Sequence, residues 1–241
     1  MFSTALGREM RYTVVLPKDC KKREMHEEPF LLFLHGRGRD DRSLVDDPAA
    51  RATLLCTDRI ILFPQGDKSW WVDSPLRAND RYALWLEEVL KDASEHFHLS
   101  QRAEDAALCG WSMGGYGAAR LLEACPDRFD TIVLLIALLD YPRNPQEFPP
   151  GQSYPVHPTE LGTDESRWPD LNPMNRIENF RNKHIRLVTG ADAFDRTMNE
   201  RFSKKLTELF IPHEFVIVPG THSFELVIDQ LDDVLLFVRE H

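Results

Sequence analysis

The sequence predicts an α/β fold, with a mostly parallel central sheet, helices on both faces and an antiparallel edge at the N-terminus. Three observations carry the prediction. Short apolar runs alternate six times with amphipathic segments, the strand–helix order of a layered α/β domain. The runs are apolar on both sides, as strands are when both faces of a sheet are covered. Most stop at or beside a glycine or proline (Gly36, Pro64, Gly110, Gly190, Pro219), where the chain turns out of the sheet.

Residues 2–6 and 10–17 read as two strands around a Gly7-Arg8 turn, and the mixed-charge run 18–29 as a solvated loop. The buried strands follow at 30–34 (FLLFL), 59–63, 105–109, 131–139, 184–189 and 214–218. Between them Tyr82, Leu86, Val89, Leu90, Ala93 and Phe97 recur at helical spacing. So do Phe202, Leu206, Leu209 and Phe210, and then Phe224, Val227, Ile228, Leu231, Leu235 and Val238. Residues 140–173 break the rhythm. They hold eight of the sixteen prolines, which marks a binding loop or lid. The stretch is read as an insertion within one domain spanning 1–241, a size single α/β domains reach.

Composition narrows the function. The 241 residues are 42% apolar and 28% charged, an ordinary globular balance, with 39 acidic against 29 basic side chains and a net charge of −10. Holding nucleic acid needs a dense basic face, so no nucleic-acid partner is expected. No membrane partner is expected either, since the longest apolar run, 132–139, falls well short of the about 20 residues a span requires. The opening MFSTALGR has no basic stretch followed by an apolar one, so the expectation is a protein without a secretory leader and cytoplasmic by default. Cys20, Cys56, Cys109 and Cys125 lack zinc-site or redox-site spacing, and Cys109, inside an apolar strand, and Cys125, at a helix end, are read as reduced packing residues. His96 and His98, if helical, point about 200° apart and cannot share an ion, so no metal site is expected. Oligomeric state is left open.

Chemistry enters at Gly110-Trp111-Ser112-Met113-Gly114, a G-x-S-x-G run between an apolar strand and a helix opening near Tyr116. That is the setting of a nucleophile elbow, and with it of the α/β-hydrolase fold. A sharp turn lifts the Ser112 hydroxyl above the sheet, the flanking glycines let strand and helix approach, and the helix N-terminus aims N–H groups at developing negative charge.

A serine hydroxyl needs a base, and in this architecture acid and histidine follow the serine in that order. His222 sits in the loop after the last strand, on the same sheet edge as Ser112, whereas His213 lies at the opposite end of its strand and His241 closes the sequence. For the acid, the strand 184–189 runs into Gly190-Ala191-Asp192-Ala193-Phe194-Asp195. Asp192 is the expected acid, and Asp195 is read as the N-cap of the next helix. Two N–H groups should hold the oxyanion: that of Met113, after the nucleophile, and that of Arg37, in the loop His35-Gly36-Arg37-Gly38. The Arg37 side chain is expected to face substrate or solvent.

Taken together these residues resemble the serine esterases typified by esterase D, tributyrin esterase and S-formylglutathione hydrolase, a wider group that includes feruloyl and acetylxylan esterases and mycolyltransferases. The resemblance spans nearly the whole chain. It rests on Tyr12-Thr13-Val14-Val15-Leu16-Pro17, Phe33-Leu34-His35-Gly36, Trp71-Val72-Asp73-Ser74-Pro75, the run Gly110 to Gly117, Pro126-Asp127-Arg128-Phe129, Asp192-Ala193-Phe194 and Pro219-Gly220-Thr221-His222-Ser223. It implies a Ser112, Asp192, His222 triad. Two features depart from the pattern: Ala137-Leu138-Leu139-Asp140 stands where the family often has Ser-Gly, and the proline-rich insertion is this chain's own. The run Leu34 to Gly38 is also similar to the phospholipase/carboxylesterase family, but the G-x-S-Q-G elbow of that family is absent.

The expected activity is hydrolysis of short-chain acyl esters, acetyl or feruloyl sugar esters among them, through an acyl-enzyme. The alternatives are an S-formylglutathione-type thioesterase and a non-catalytic binding protein of the same fold. Trp70, Trp71, Trp111 and Gly36 are the expected substrate contacts, since they fall near the catalytic edge and indole rings stack on sugars and aromatic acyl groups. Acyl transfer of this kind needs no metal or organic cofactor, so the expected partner is a small-molecule ester alone.

Overall fold

The computed structural model describes residues 1–18, 27–144, 146 and 159–241. Cys20, most of the loop expected at 18–29 and the middle of the 140–173 insertion lie outside the described residues.

The chain opens on a short hairpin, β1 (Phe2–Ser3) and β2 (Arg8–Glu9), followed by β3 (Tyr12–Val15). The N-terminal stretch thus folds as three short strands, where two longer ones were expected. Six further strands join β3 in one sheet: β4 (Phe30–Leu34), β5 (Ile60–Pro64), β6 (Ala106–Trp111), β7 (Thr131–Leu135), β8 (His184–Gly190) and β9 (Glu214–Val218). Their spatial order is β3-β5-β4-β6-β7-β8-β9. Only β3 runs antiparallel, against β5, with Tyr12 opposite Pro64; all other pairs are parallel.

Side chains alternate between the two faces, as strand geometry demands. On one face Phe30, Leu32, Leu62, Leu108 and Leu134 pack under α3 (Tyr82–Phe97), α4 (Met113–Ala124) and α6 (Arg196–Glu208). On the other, Leu31, Phe33, Ile61, Cys109 and Val133 meet α2 (Pro48–Leu54), α7 (Phe224–Asp229) and α8 (Leu231–Glu240). Phe33 stacks on Phe63 at 5.5 Å and meets the edge of Trp111 at 5.6 Å. Burying such side chains on both faces, at about 1.5–3 kcal/mol each, supplies the drive for sheet formation.

Several elements differ from expectation for local reasons. The strand expected at 131–139 stops at Leu135, because Ile136 takes a φ of 41°. The last helical stretch is two helices, interrupted at Gln230. Helices α1 (Ser43–Asp46) and α2 were not anticipated. For α2 the signal was present: Asp47 accepts from the N–H groups of Ala49 and Ala50, and Pro48 follows it in the first turn. Cys109 is buried and Cys125 half-buried, as expected of packing residues, and Cys56 is exposed. Among the described residues no helix is long and apolar enough to cross a membrane.

The described parts of 140–173 carry α5 (Trp168–Leu171) and short 3-10 turns at Thr159–Leu161 and Glu165–Arg167.

Candidate active site

Strand β6 ends at Trp111 and α4 begins at Met113, so the whole change of direction falls on Ser112, at φ 55° and ψ −119°. A non-glycine residue there stores about 1–3 kcal/mol of strain, and its neighbours hold it. The Ser112 N–H donates to the Leu135 carbonyl at 3.0 Å, and the Tyr116 N–H donates to the Ser112 carbonyl at 3.1 Å. The turn also needs bare backbone on either side. A Cβ on Gly114 would lie 2.0 Å from the Leu34 carbonyl oxygen, and one on Gly110 would lie 2.2 Å from the Gly114 carbonyl oxygen.

His222 is delivered by the loop after β9, next to the same sheet edge. Ser112 Oγ donates to His222 Nε2 at 2.8 Å, and His222 Nδ1 donates to Asp195 Oδ1 at 2.6 Å. The carboxylate partner is therefore Asp195, and the expectation of Asp192 is corrected. Asp192 is exposed; its backbone N–H donates to the Gly220 carbonyl at 2.9 Å, zipping the acid loop to the histidine loop and turning its side chain outward. Asp195 is fully buried, and although it stands at the N-cap position of α6 its side chain makes no capping bond. Its Oδ2 instead accepts from Thr189 Oγ1 at 2.7 Å and Asn199 Nδ2 at 3.0 Å. The legible signal was that pairing: a threonine at the end of the strand and an asparagine four residues along the helix, flanking one acid.

Of the residues expected to donate to an oxyanion, Met113 follows Ser112 directly and Arg37 follows Gly36, which packs against Ser112. Met113 is the first residue of α4, where an N–H has no partner within the helix. Across from it, a Cβ on Gly36 would be 3.3 Å from Ser112 Cβ. The Gly36 carbonyl accepts from His35 Nδ1 at 2.9 Å and from the Arg39 N–H at 3.2 Å. In a trans peptide the carbonyl and the next N–H point in opposite directions. Holding the Gly36 carbonyl thus turns the Arg37 N–H the other way. Burial pushes the His35 pKa below its ordinary value, favouring the neutral ring, which also accepts at Nε2 from the Gly66 N–H at 2.9 Å. The Arg37 side chain is exposed, as one of the two expected placements has it, and its Nη2 pairs with Glu160 Oε1 at 2.9 Å.

The sequence pattern of the family described as "Putative esterase" matches residues 3–238. The chain belongs to this esterase family. It is 26% identical to Esterase Rv1288 of Mycobacterium tuberculosis (strain ATCC 25618 / H37Rv), an alignment that covers 95% of this chain and 56% of that protein. The chain thus spans about half the length of the curated relatives it matches. Its fold is that of a ferulic acid esterase, with a TM-score of 0.81 at 20% identity over 100% of this chain and 95% of the other. It is equally that of an S-formylglutathione hydrolase from Staphylococcus aureus, with a TM-score of 0.79 at 20% identity over 99% and 96% of the two chains. The architecture is the α/β-hydrolase fold, and the family is one of ester-hydrolysing enzymes.

In this member of the family the three tryptophans expected to touch substrate serve as packing. Trp70 and Trp71 are 1% exposed and Trp111 is 4% exposed. Trp70 stacks on Tyr141 at 4.8 Å and meets the edge of Tyr116 at 5.4 Å. Trp71 Nε1 donates to the His35 carbonyl at 3.1 Å, its ring filling the space left by the missing side chain of Gly117. Trp111 lies between Phe33 and Phe224. Trp71 and Trp111 thus pack against the His35–Gly36 loop. Gly36 is likewise buried against Trp111, where a Cβ would sit 2.6 Å from the indole nitrogen. Sequence reading missed Phe194, whose ring covers the His222 imidazole at 4.2 Å. His96 and His98 fall at the end of α3 and its left-handed C-cap, and among the described residues no group of three or more His, Cys, Asp or Glu is placed to hold a metal.

Proposed function

We propose that the chain is a serine carboxylesterase that hydrolyses short-chain acyl esters through Ser112, His222 and Asp195. The observation that carries this reading is the unbroken series from the Ser112 hydroxyl through the His222 imidazole to the buried Asp195 carboxylate, with links of 2.8 and 2.6 Å. The imidazole takes the hydroxyl proton as Ser112 Oγ attacks the ester carbonyl, and Asp195 fixes the tautomer and offsets the positive charge that forms. The Met113 and Arg37 N–H groups accommodate the tetrahedral oxyanion. His222 then protonates the departing alcohol, and water repeats the sequence on the acyl-enzyme. Fully buried tryptophans offer no open stacking platform, which favours small acyl groups over feruloyl ones. Segment 140–173 borders the site through the Arg37–Glu160 pair, and we assign it a role in shaping substrate access.

The experiment is labelling with a fluorophosphonate probe, together with rates on p-nitrophenyl acyl esters, acetylated sugars, feruloyl esters and S-formylglutathione. Labelling that is lost in Ser112→Ala, with acetyl and propionyl esters turned over fastest, is expected. Absence of labelling in the wild-type protein refutes the catalytic reading, and exclusive turnover of the thioester replaces the carboxylester one.

A further inference from the structure

We infer that the esterase selects substrates whose non-reacting end carries a carboxylate, and that Arg39 and Lys68 recognise it. This deepens the serine-esterase reading and rests on it.

A cavity of about 610 Å³ lies beside the oxyanion loop, between Gly38–Asp40 and the turn after β5 at Gln65–Ser69. Its nearest wall, Gly38, is two residues from Gly36, which packs against Ser112. Two residues span at most about 7 Å of chain, so the cavity adjoins the loop that packs against the nucleophile.

Acids and bases both line this space, but they differ in how far they are satisfied. Asp67 pairs with Arg8 at 2.7 Å, Asp80 pairs with Arg77, and Glu160 pairs with Arg37 at 2.9 Å. Asp40 accepts from the Arg42 N–H at 3.0 Å and from the Ser43 hydroxyl at 2.9 Å. The two remaining cations, Arg39 and Lys68, have no carboxylate within ion-pair distance among the described residues, and both are exposed. The Arg39 guanidinium lies over Phe224 with its carbon 3.9 Å from the ring centroid. A contact with a ring face engages none of the N–H groups of the fork in a hydrogen bond, and those are the groups that bind carboxylates. Phe224 in turn packs against Trp111, the residue before Ser112, at 5.9 Å, so this cation is linked to the elbow through one ring, and its charge also acts on the carboxylate of Glu225. An anionic ligand therefore finds two unspent cations here, on a chain whose overall charge is −10.

The experiment compares matched ester pairs at low ionic strength. One pair places the carboxylate on the acyl side (4-nitrophenyl hydrogen adipate against 4-nitrophenyl hexanoate). The other places it on the alcohol side (the acetyl ester of 4-hydroxybutanoate against butyl acetate). The wild-type protein is expected to favour the charged member of one pair about tenfold in kcat/KM, mainly through KM, and the responding pair identifies which end enters the cavity. The ratio should collapse towards one in Arg39→Gln/Lys68→Gln, survive in Arg39→Lys/Lys68→Arg, and shrink as salt screens the attraction. A ratio at or below one in both pairs, or one that persists in the Gln variant, overturns the inference and leaves the esterase reading standing. Failure to hydrolyse any of the four esters removes that reading, and this inference with it.

Discussion

Replacing Asp195 by asparagine should cost about 10⁴ in kcat, and the reason is readable from the bonds around the carboxylate. Oδ2 accepts from both Thr189 Oγ1 and Asn199 Nδ2. In Asp195→Asn the amide oxygen must take that position, because an NH₂ group there would face two donors. The NH₂ is then forced towards His222 Nδ1, where it donates. A ring that accepts at Nδ1 carries its proton on Nε2, against Ser112, and can no longer take the hydroxyl proton. The loss corresponds to about 5.5 kcal/mol of transition-state stabilisation at about 1.36 kcal/mol per decade. Asp192→Asn, at an exposed side chain, should change kcat by less than about twofold, since surface substitutions rarely matter. Initial rates on p-nitrophenyl acetate, normalised by fluorophosphonate titration of Ser112, measure both. An inactive Asp192→Asn beside an active Asp195→Asn would refute the assignment.

Asn199→Ala should lower kcat about tenfold and stability by about 1–3 kcal/mol, because it frees one side of Asp195 and strips a donor from the Ala137 carbonyl; steady-state rates and urea unfolding report the two effects. Glu123, in α4, is pushed up from 4.5 to about 7, by burial first, against the opposing pull of Arg120. The folded protein therefore holds a proton that the unfolded chain has lost between those values, and stability falls as pH rises through that window. Glu123→Gln should remove the slope. Whatever constant offset comes from unpairing Arg120, the difference between variant and wild type should move towards the variant by up to about 3 kcal/mol between pH 4.5 and 8, measured by thermal unfolding. Gly114→Ala places a Cβ 2.0 Å from the Leu34 carbonyl oxygen, a strand backbone atom that cannot swing away, and should cost at least about 2 kcal/mol in urea unfolding.

What the sequence made legible is what periodicity and punctuation encode. Six apolar runs became six strands, the inner ones covered on both faces and β9 left half-exposed at the edge, and Gly110 and Gly114 announced a crossing that only bare backbone permits. The side chains of Ser112 and His222 meet, as loops at one sheet edge would bring them. The acid was harder. Asp192 and Asp195 share a loop, and the choice between them depends on where two backbone bonds zip that loop to residues 218–220, a tertiary fact with no local signature. The tryptophans failed for the opposite reason. Their position after the strands was read correctly, but position alone does not say whether a ring lies above the loop or beneath it.

The segment 140–173 is joined to the hydrolytic machinery more closely than an insertion on a surface loop would be. Its two roots are bonded to each other, Asn172 Nδ2 donating to Asp140 Oδ1 and to the Pro142 carbonyl, both at 3.1 Å. Asp140, buried, is also paired with Arg143 at 3.0 Å and Arg201 at 3.1 Å. From the nucleophile helix, the Tyr116 hydroxyl donates to the Leu171 carbonyl and Arg120 Nη1 to the Asp170 carbonyl, both at 2.9 Å. At its other contact Glu160 pairs with Arg37, the residue we propose as an oxyanion donor. Buried, multiply bonded polar groups are costly to rearrange, so the roots form a fixed frame against α4. Changes of sequence between those roots can then reshape what reaches Ser112 while the spacing of hydroxyl, imidazole and carboxylate stays as it is.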